Sequence, residues 1–282
     1  MDCAKKRELY MPISSFSRRG WRDARAVVWP RRAFLQSLIL MGLTMPCSAL
    51  AADQRGRGLC SAAPVRLKAS GPLKRTAARL RAKLPVHVLA IGSSSTQGIG
   101  ASSPAFSYPA QLESALELRF PGVDVKVVNA GIAGETADRT LARLDAELER
   151  TKPDLVLWQV GTNDALSSSV TEPAFEATIE RGVTSIERHK SDVLLLDQQF
   201  TKKVNDPDRY ERFVAVLDRV ARKEHVCLFP RYRLMKMMDQ FDGDGIELML
   251  AADGFHMNDA GYACVADLLA LNIQELVAQP DQ

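Results

Sequence analysis

Histidine and cysteine are scarce in this chain, four and five among 282 residues, and no cysteine stands in a CxxC or Cys/His cluster. A structural zinc site therefore has no ligand set to draw on. Also missing are GxxxxGK[ST], GxGxxG behind a strand, HExxH and GxSxG. Their absence removes phosphate-loop and dinucleotide binding, zinc-protease chemistry and the common α/β-hydrolase nucleophile elbow. No cofactor and no metal are expected. Asp239, Asp242 and Asp244 cluster, but without the bidentate glutamate and spacing of a calcium loop they read as a solvated acidic stretch. A basic surplus is lacking as well. The formal charge is +3, yet residues 1–51 hold nine basic and three acidic side chains, leaving 28 basic against 31 acidic beyond them. A slightly acidic body has no electrostatic footprint for nucleic acid. What remains, 46% hydrophobic and 25% charged residues, is enough for one sizeable soluble core.

The basic head has its own logic. Arg18, Arg19, Arg22, Arg25, Arg31 and Arg32 precede an apolar run at residues 33–45, and Pro46 leads into Ala49-Leu50-Ala51. That run is short of the roughly 20 residues a bilayer core asks for, so a cleaved export signal is expected over residues 1–51, with no stable membrane insertion after processing. Arg31-Arg32-Ala33-Phe34-Leu35 resembles the twin-arginine export signal. Either export route implies a periplasmic or secreted protein. Cys60, Cys227 and Cys264 then stay with the body and allow one disulfide at most. Residues 52–83, rich in Ala, Arg, Gly and Lys without clear apolar periodicity, read as a linker or an arm over the domain.

From residue 84 to 282 the chain alternates between two periods. Continuous Val/Leu/Ile runs at residues 85–91, 123–128, 155–160, 193–196 and 226–229 read as strands buried on both faces. Helical spacing marks residues 108–120, 136–151, 173–190, 207–224 and 258–276. The alternation predicts an α/β fold, a three-layer sandwich with a parallel sheet of about five strands. In such sheets the chemistry sits beyond the carboxyl ends of the strands. The segments there are Gly92-Ser93-Ser94-Ser95-Thr96, Asn129-Ala130-Gly131-Ile132-Ala133-Gly134-Glu135-Thr136 and Gly161-Thr162-Asn163-Asp164, with Asp253-Gly254-Phe255-His256 before the last helix.

These four pieces, in this order, resemble the signature blocks of the SGNH/GDSL hydrolases, esterases of flavodoxin-like fold, over essentially all of the chain after residue 84. The resemblance implies Ser94 as nucleophile, and the N–H groups of Ser94 and Gly134 with the Asn163 side-chain amide as oxyanion-hole donors. Physical chemistry supports the same arrangement. A serine hydroxyl needs an imidazole to take its proton, and Asp253, three residues before His256, can orient that ring. Glycine at 134 lets the chain approach closely. Of the other histidines, His87 reads as a packed strand residue, and His189 and His225 as solvated helix ends. One departure stands out: Ser93 occupies the place of the Asp in Gly-Asp-Ser, and a hydroxyl cannot supply that negative charge to the nucleophile turn.

Taken singly, each piece has a bland reading: Ser94 as a helix cap, Asn163, Asp164, Asp253 and Gly254 as turn residues, Gly131 and Gly134 as turn glycines, and Met235, Met237, Met238 and Met249 as core packing. The joint pattern implies an exported serine esterase that acts on short-chain or acetyl esters of a small molecule or polysaccharide through an acyl-enzyme. The alternatives are a non-catalytic carbohydrate-binding domain on the same fold, or an O-acyltransferase using the same triad.

Overall fold

Strands form where β-branched and leucine residues run without interruption, and the computed structural model, which describes Cys60 and residues 71–242 and 245–279, joins five of them into one parallel sheet. They are β1 (Val86–Gly92), β2 (Val125–Gly131), β3 (Leu155–Gln159), β4 (Asp192–Leu196) and β5 (Cys227–Phe229), in the order β2-β1-β3-β4-β5. One row of partners crosses it: Asn129, Ala90, Leu157, Leu194 and Cys227. This is the doubly wound order whose connections reverse direction between β1 and β3, which opens a crevice at the carboxyl ends of those two strands. All described residues lie in one unit, Thr44–Gln282. The export segment expected over residues 1–51 falls outside them.

Alternating side chains send each strand into two cores. Val88, Ala90, Leu157 and Leu194 pack with Leu112, Leu116, Leu269 and Ile273 on one face. On the other, Leu89, Ile91, Trp158 and Leu195 pack with Leu144, Ile179, Phe213 and Leu217. The first face is covered by α1 (Lys74–Arg81), α3 (Tyr108–Arg119), α8 (Arg231–Asp242) and α9 (Asp259–Ala278), the second by α4 (Ala137–Thr151), α6 (Glu172–Arg188) and α7 (Pro207–Lys223). Met235, Met238 and Met249 belong to the first core. Local chemistry starts the longer helices where the periodicity does. Thr171 accepts from the Ala174 N–H, Asp206 from Arg209 and Asn258 from Gly261, each filling an acceptor the first turn lacks.

Three expectations change. Residues 52–83 are not all without a regular element, because α1 buries Ala77 and Leu80, with Leu73 buried just before it, a stripe too brief to show as a period. Thr76 bonds Asp192 through both its N–H and its hydroxyl at 2.7 Å, and Arg75 and Arg79 grip Asp154 at 2.8 and 3.0 Å. A disulfide joins Cys60 to Cys264 of α9, while Cys227 is free and buried. His87, the second residue of β1, is exposed rather than packed in the core, between the buried Val86 and Val88. Finally β2 is an edge strand, half-exposed, and runs on through Asn129 to Gly131 because those residues still pair with Ala90 to Gly92.

Candidate active site

Directly after β1 the chain turns into a single helical turn, α2 (Ser94–Gln97), with Ser94 as its first residue. An N–H at that position has no acceptor within its own helix and stays available. Ser93 precedes the turn, and its N–H and hydroxyl both donate to Gln159 Oε1 at the end of β3, at 3.1 and 3.0 Å. Thr96 Oγ1 reaches the same oxygen at 3.3 Å. The missing carboxylate at position 93 is therefore replaced by a neutral anchor, a side-chain carbonyl from the neighbouring strand.

His256 arrives from the opposite end of the chain. Leu250 and Met257 form an antiparallel bridge, Ala251 N–H donates to the His256 carbonyl at 2.8 Å, and the turn between them carries the acid and the ring. Asp253 Oδ1 accepts the N–H groups of Phe255 and His256, both at 2.9 Å, while Oδ2 lies 2.6 Å from His256 Nδ1. His256 Nε2 stands 2.9 Å from Ser94 Oγ. Partial burial pushes the Asp253 carboxyl up, but the bond to His256 and the two backbone donors outweigh it and hold the carboxyl below its ordinary value. An ionised Asp253 calls for a proton on Nδ1, which leaves Nε2 to accept the Ser94 hydroxyl. The side chain chosen for its spacing thus reaches the serine chosen by register, across 162 residues.

The loop after β2 closes the third side. Ile132 N–H donates to the Gly92 carbonyl at 2.9 Å and Ala133 N–H to Gln97 Oε1 at 2.7 Å. Close approach is the business of Gly131, where a Cβ would come within 2.1 Å of Gln97 N. Gly134 differs from the expectation: space around it is open, and its φ of +78° is what asks for glycine. Asn163 lies in α5 (Thr162–Leu166), and its Nδ2 donates to the Glu135 carbonyl at 2.7 Å, tying it to the residue after Gly134. Its neighbour Asp164 accepts from Ala137 N–H at 2.9 Å; burial, only partly offset by backbone donors, pushes its carboxyl up to about 6. Arg143 braces the loop from behind, bonding both Glu135 oxygens and, at 2.7 Å, the Ala130 carbonyl.

All five expected site residues therefore sit on three adjoining loops and one turn at the carboxyl edge of β1, β2 and β3. Sequence reading missed Gln159, Arg143 and Gln199, which hold these loops without any motif. Among the described residues no group of three or more His, Cys, Asp or Glu side chains could hold a metal ion. Asp239 pairs with Lys202 at 2.8 Å, and the Asp242 and Asp244 side chains lie outside the described residues.

The model of the non-GDSL lipase-like family matches residues 59–279. The chain belongs to that family. It is an SGNH/GDSL-type ester hydrolase, with the fold the four blocks implied. Thioesterase 1/protease 1/lysophospholipase L1 of Escherichia coli (strain K12) is 29% identical over 199 residues, 70% of this chain and 88% of that protein. The crystal structure of TesA superposes with a TM-score of 0.57 at 27% identity, over 67% of this chain and 99% of that one. A two-domain esterase active on acetylated mannans superposes with a TM-score of 0.60 at 25% identity, over 76% of this chain. This chain spans 56% of that larger protein.

Proposed function

We propose that the protein is an exported serine esterase that cleaves short-chain or acetyl esters, carried on a small molecule or a carbohydrate, through an acyl-enzyme. Ser94 attacks the ester carbonyl as His256 takes its proton, and Asp253 keeps the ring in the right tautomer and stabilises the imidazolium. The oxyanion is received by the N–H groups of Ser94 and Gly134 and by Asn163 Nδ2. The imidazolium then protonates the departing alcohol, and a second half-reaction with water frees the acid. The observation that carries this reading is the unbroken relay from Asp253 to His256 to Ser94, at 2.6 and 2.9 Å. The mannan-active esterase favours an acetylated carbohydrate. Export rests on the basic head and the apolar run of residues 33–45.

One observation favours a second reading, a longer acyl chain. Ile132 and Leu166, 48% and 47% exposed, stand on the loops that bear Gly134 and Asn163, where an acyl group would leave the carbonyl. Hydrolysis of p-nitrophenyl esters from acetate to long chains, by the processed protein and by Ser94→Ala, tests both. The expected result is an acetate or butyrate optimum and a loss of at least a thousandfold in the variant. An undiminished Ser94→Ala enzyme would end the serine-esterase reading, and a long-chain optimum would select the second.

A further inference from the structure

Between β4 and α7 the chain passes the turn that bears Asp253 and His256, and three of its side chains grip that turn in sequence. Gln199 Nε2 donates to the Phe255 carbonyl at 3.1 Å, Thr201 Oγ1 to the Gly254 carbonyl at 3.0 Å, and Lys203 Nζ to the Asp253 carbonyl. Positions 199, 201 and 203 thus meet carbonyls 255, 254 and 253 in reverse order. Gln199 and Thr201 are buried, at 1% and 6% exposure, whereas the Asp253 side chain they help to place is half-exposed.

Gln199 does more than the other two. Its Oε1 accepts the Ser95 hydroxyl at 2.6 Å, so a single amide joins the residue after Ser94 to the residue before His256. The partners determine which way the amide faces, because the Phe255 carbonyl can only accept and must meet the NH2. Its backbone is held in turn: Tyr210 OH donates to the Gln199 carbonyl at 2.9 Å. Ser94 and His256 come from opposite ends of the chain, and their 2.9 Å contact depends on both turns keeping station.

We infer that Gln199 is a positioning residue for the Ser94–His256 pair, an inference that rests on the esterase reading above. Its side chain bonds the neighbours of Ser94 and His256, and it acts by fixing the separation of the two turns. A displacement of about 1 Å at a reacting pair costs on the order of a hundredfold in rate. Gln199→Met keeps the bulk and removes both bonds, so kcat should fall at least about tenfold with KM within about twofold. Ser95→Ala removes one of the two amide bonds, and its effect on kcat should be less than additive with that of Gln199→Met, because both break the same bond.

The experiment measures kcat, KM and thermal unfolding on p-nitrophenyl acetate for the wild type, Gln199→Met, Ser95→Ala, the double variant and Ser94→Ala. A folded Gln199→Met enzyme with wild-type kcat, or with a raised KM alone, overturns the positioning role while an inactive Ser94→Ala leaves the esterase reading intact. An active Ser94→Ala overturns both. Should Gln199→Met fail to fold, Ser95→Ala decides: lowered kcat at constant KM supports the positioning role, and wild-type kcat refutes it.

Discussion

Replacing Asp197 by asparagine should flatten the pH dependence of stability between about pH 5 and 8. Asp197 is 1% exposed at the end of β4, where its Oδ1 accepts the Tyr232 N–H at 2.8 Å. Burial pushes its carboxyl from 3.8 up to about 7, against the smaller pull of that bond and of the Arg231 charge. The folded state thus holds a proton that the unfolded chain has released, and stability must fall as pH rises through this window. At about 1.4 kcal/mol for each pH unit in which only the folded form is protonated, roughly 2–3 kcal/mol is lost between pH 5 and 8. Asp164, raised to about 6, adds about 1 kcal/mol in the same direction. Asp253, Glu172, Glu176 and Glu211 are shifted downward, so their contributions fade only in more acidic solution and leave the window untouched. Asparagine keeps the acceptor for Tyr232 and cannot titrate. Urea unfolding at four pH values would give wild-type midpoints that decline steadily and Asp197→Asn midpoints that decline by less than half as much. Parallel curves would refute a buried, proton-holding Asp197.

Two further perturbations follow from the contacts that hold the site and its frame. The Cys60–Cys264 bridge closes a span of 204 residues, for which chain entropy sets a ceiling of about 5 kcal/mol; Cys60→Ser should lower stability by about 2–5 kcal/mol, and dithiothreitol should destabilise the wild type but not the variant. A variant that unfolds at the wild-type denaturant concentration would contradict this. Arg143→Met removes the brace on both ends of the Gly131–Gly134 loop, at the cost of charge-assisted bonds each worth about 1.5–3 kcal/mol. Roughly tenfold lower kcat/KM on p-nitrophenyl acetate is expected, and a rate unchanged in a folded variant would show that the loop keeps its place unaided.

Much of the frame could be read from residue order because its causes are local. A run such as Leu155 to Gln159, buried throughout, announces a central parallel strand by composition alone. The long helices of the second face show their stripes over fifteen or more residues. The elements that were missed are short or lack a stripe. α1 has eight residues, α2 four and α5 five, each stabilised by partners far away, as Thr76 is by Asp192. Tertiary contact decides such pieces, and propensity has little to say about them. His87 stands exposed between the buried Val86 and Val88, an alternation that a run read as buried on both faces does not reveal.

The candidate site divides along the same line. Asp253 and His256 are legible because three residues of turn suffice to bring carboxylate and ring together, with the acid's other oxygen closing the turn through the Phe255 and His256 N–H groups. That geometry is short-range, so it leaves a spacing. The supports of Ser94 leave none. Ser93 leans on Gln159, 66 residues away, and Ser95 on Gln199, 104 residues away, through neutral hydrogen bonds that a serine and a glutamine can make almost anywhere. This also explains how the turn stands without an aspartate at position 93. Position 93 is buried, so a carboxylate there would need its own compensating donors, whereas a hydroxyl donating to a carbonyl carries no net charge into the core. The chemistry of the reacting groups is written in local pattern, and the chemistry that keeps them apart by 2.9 Å is written in the fold.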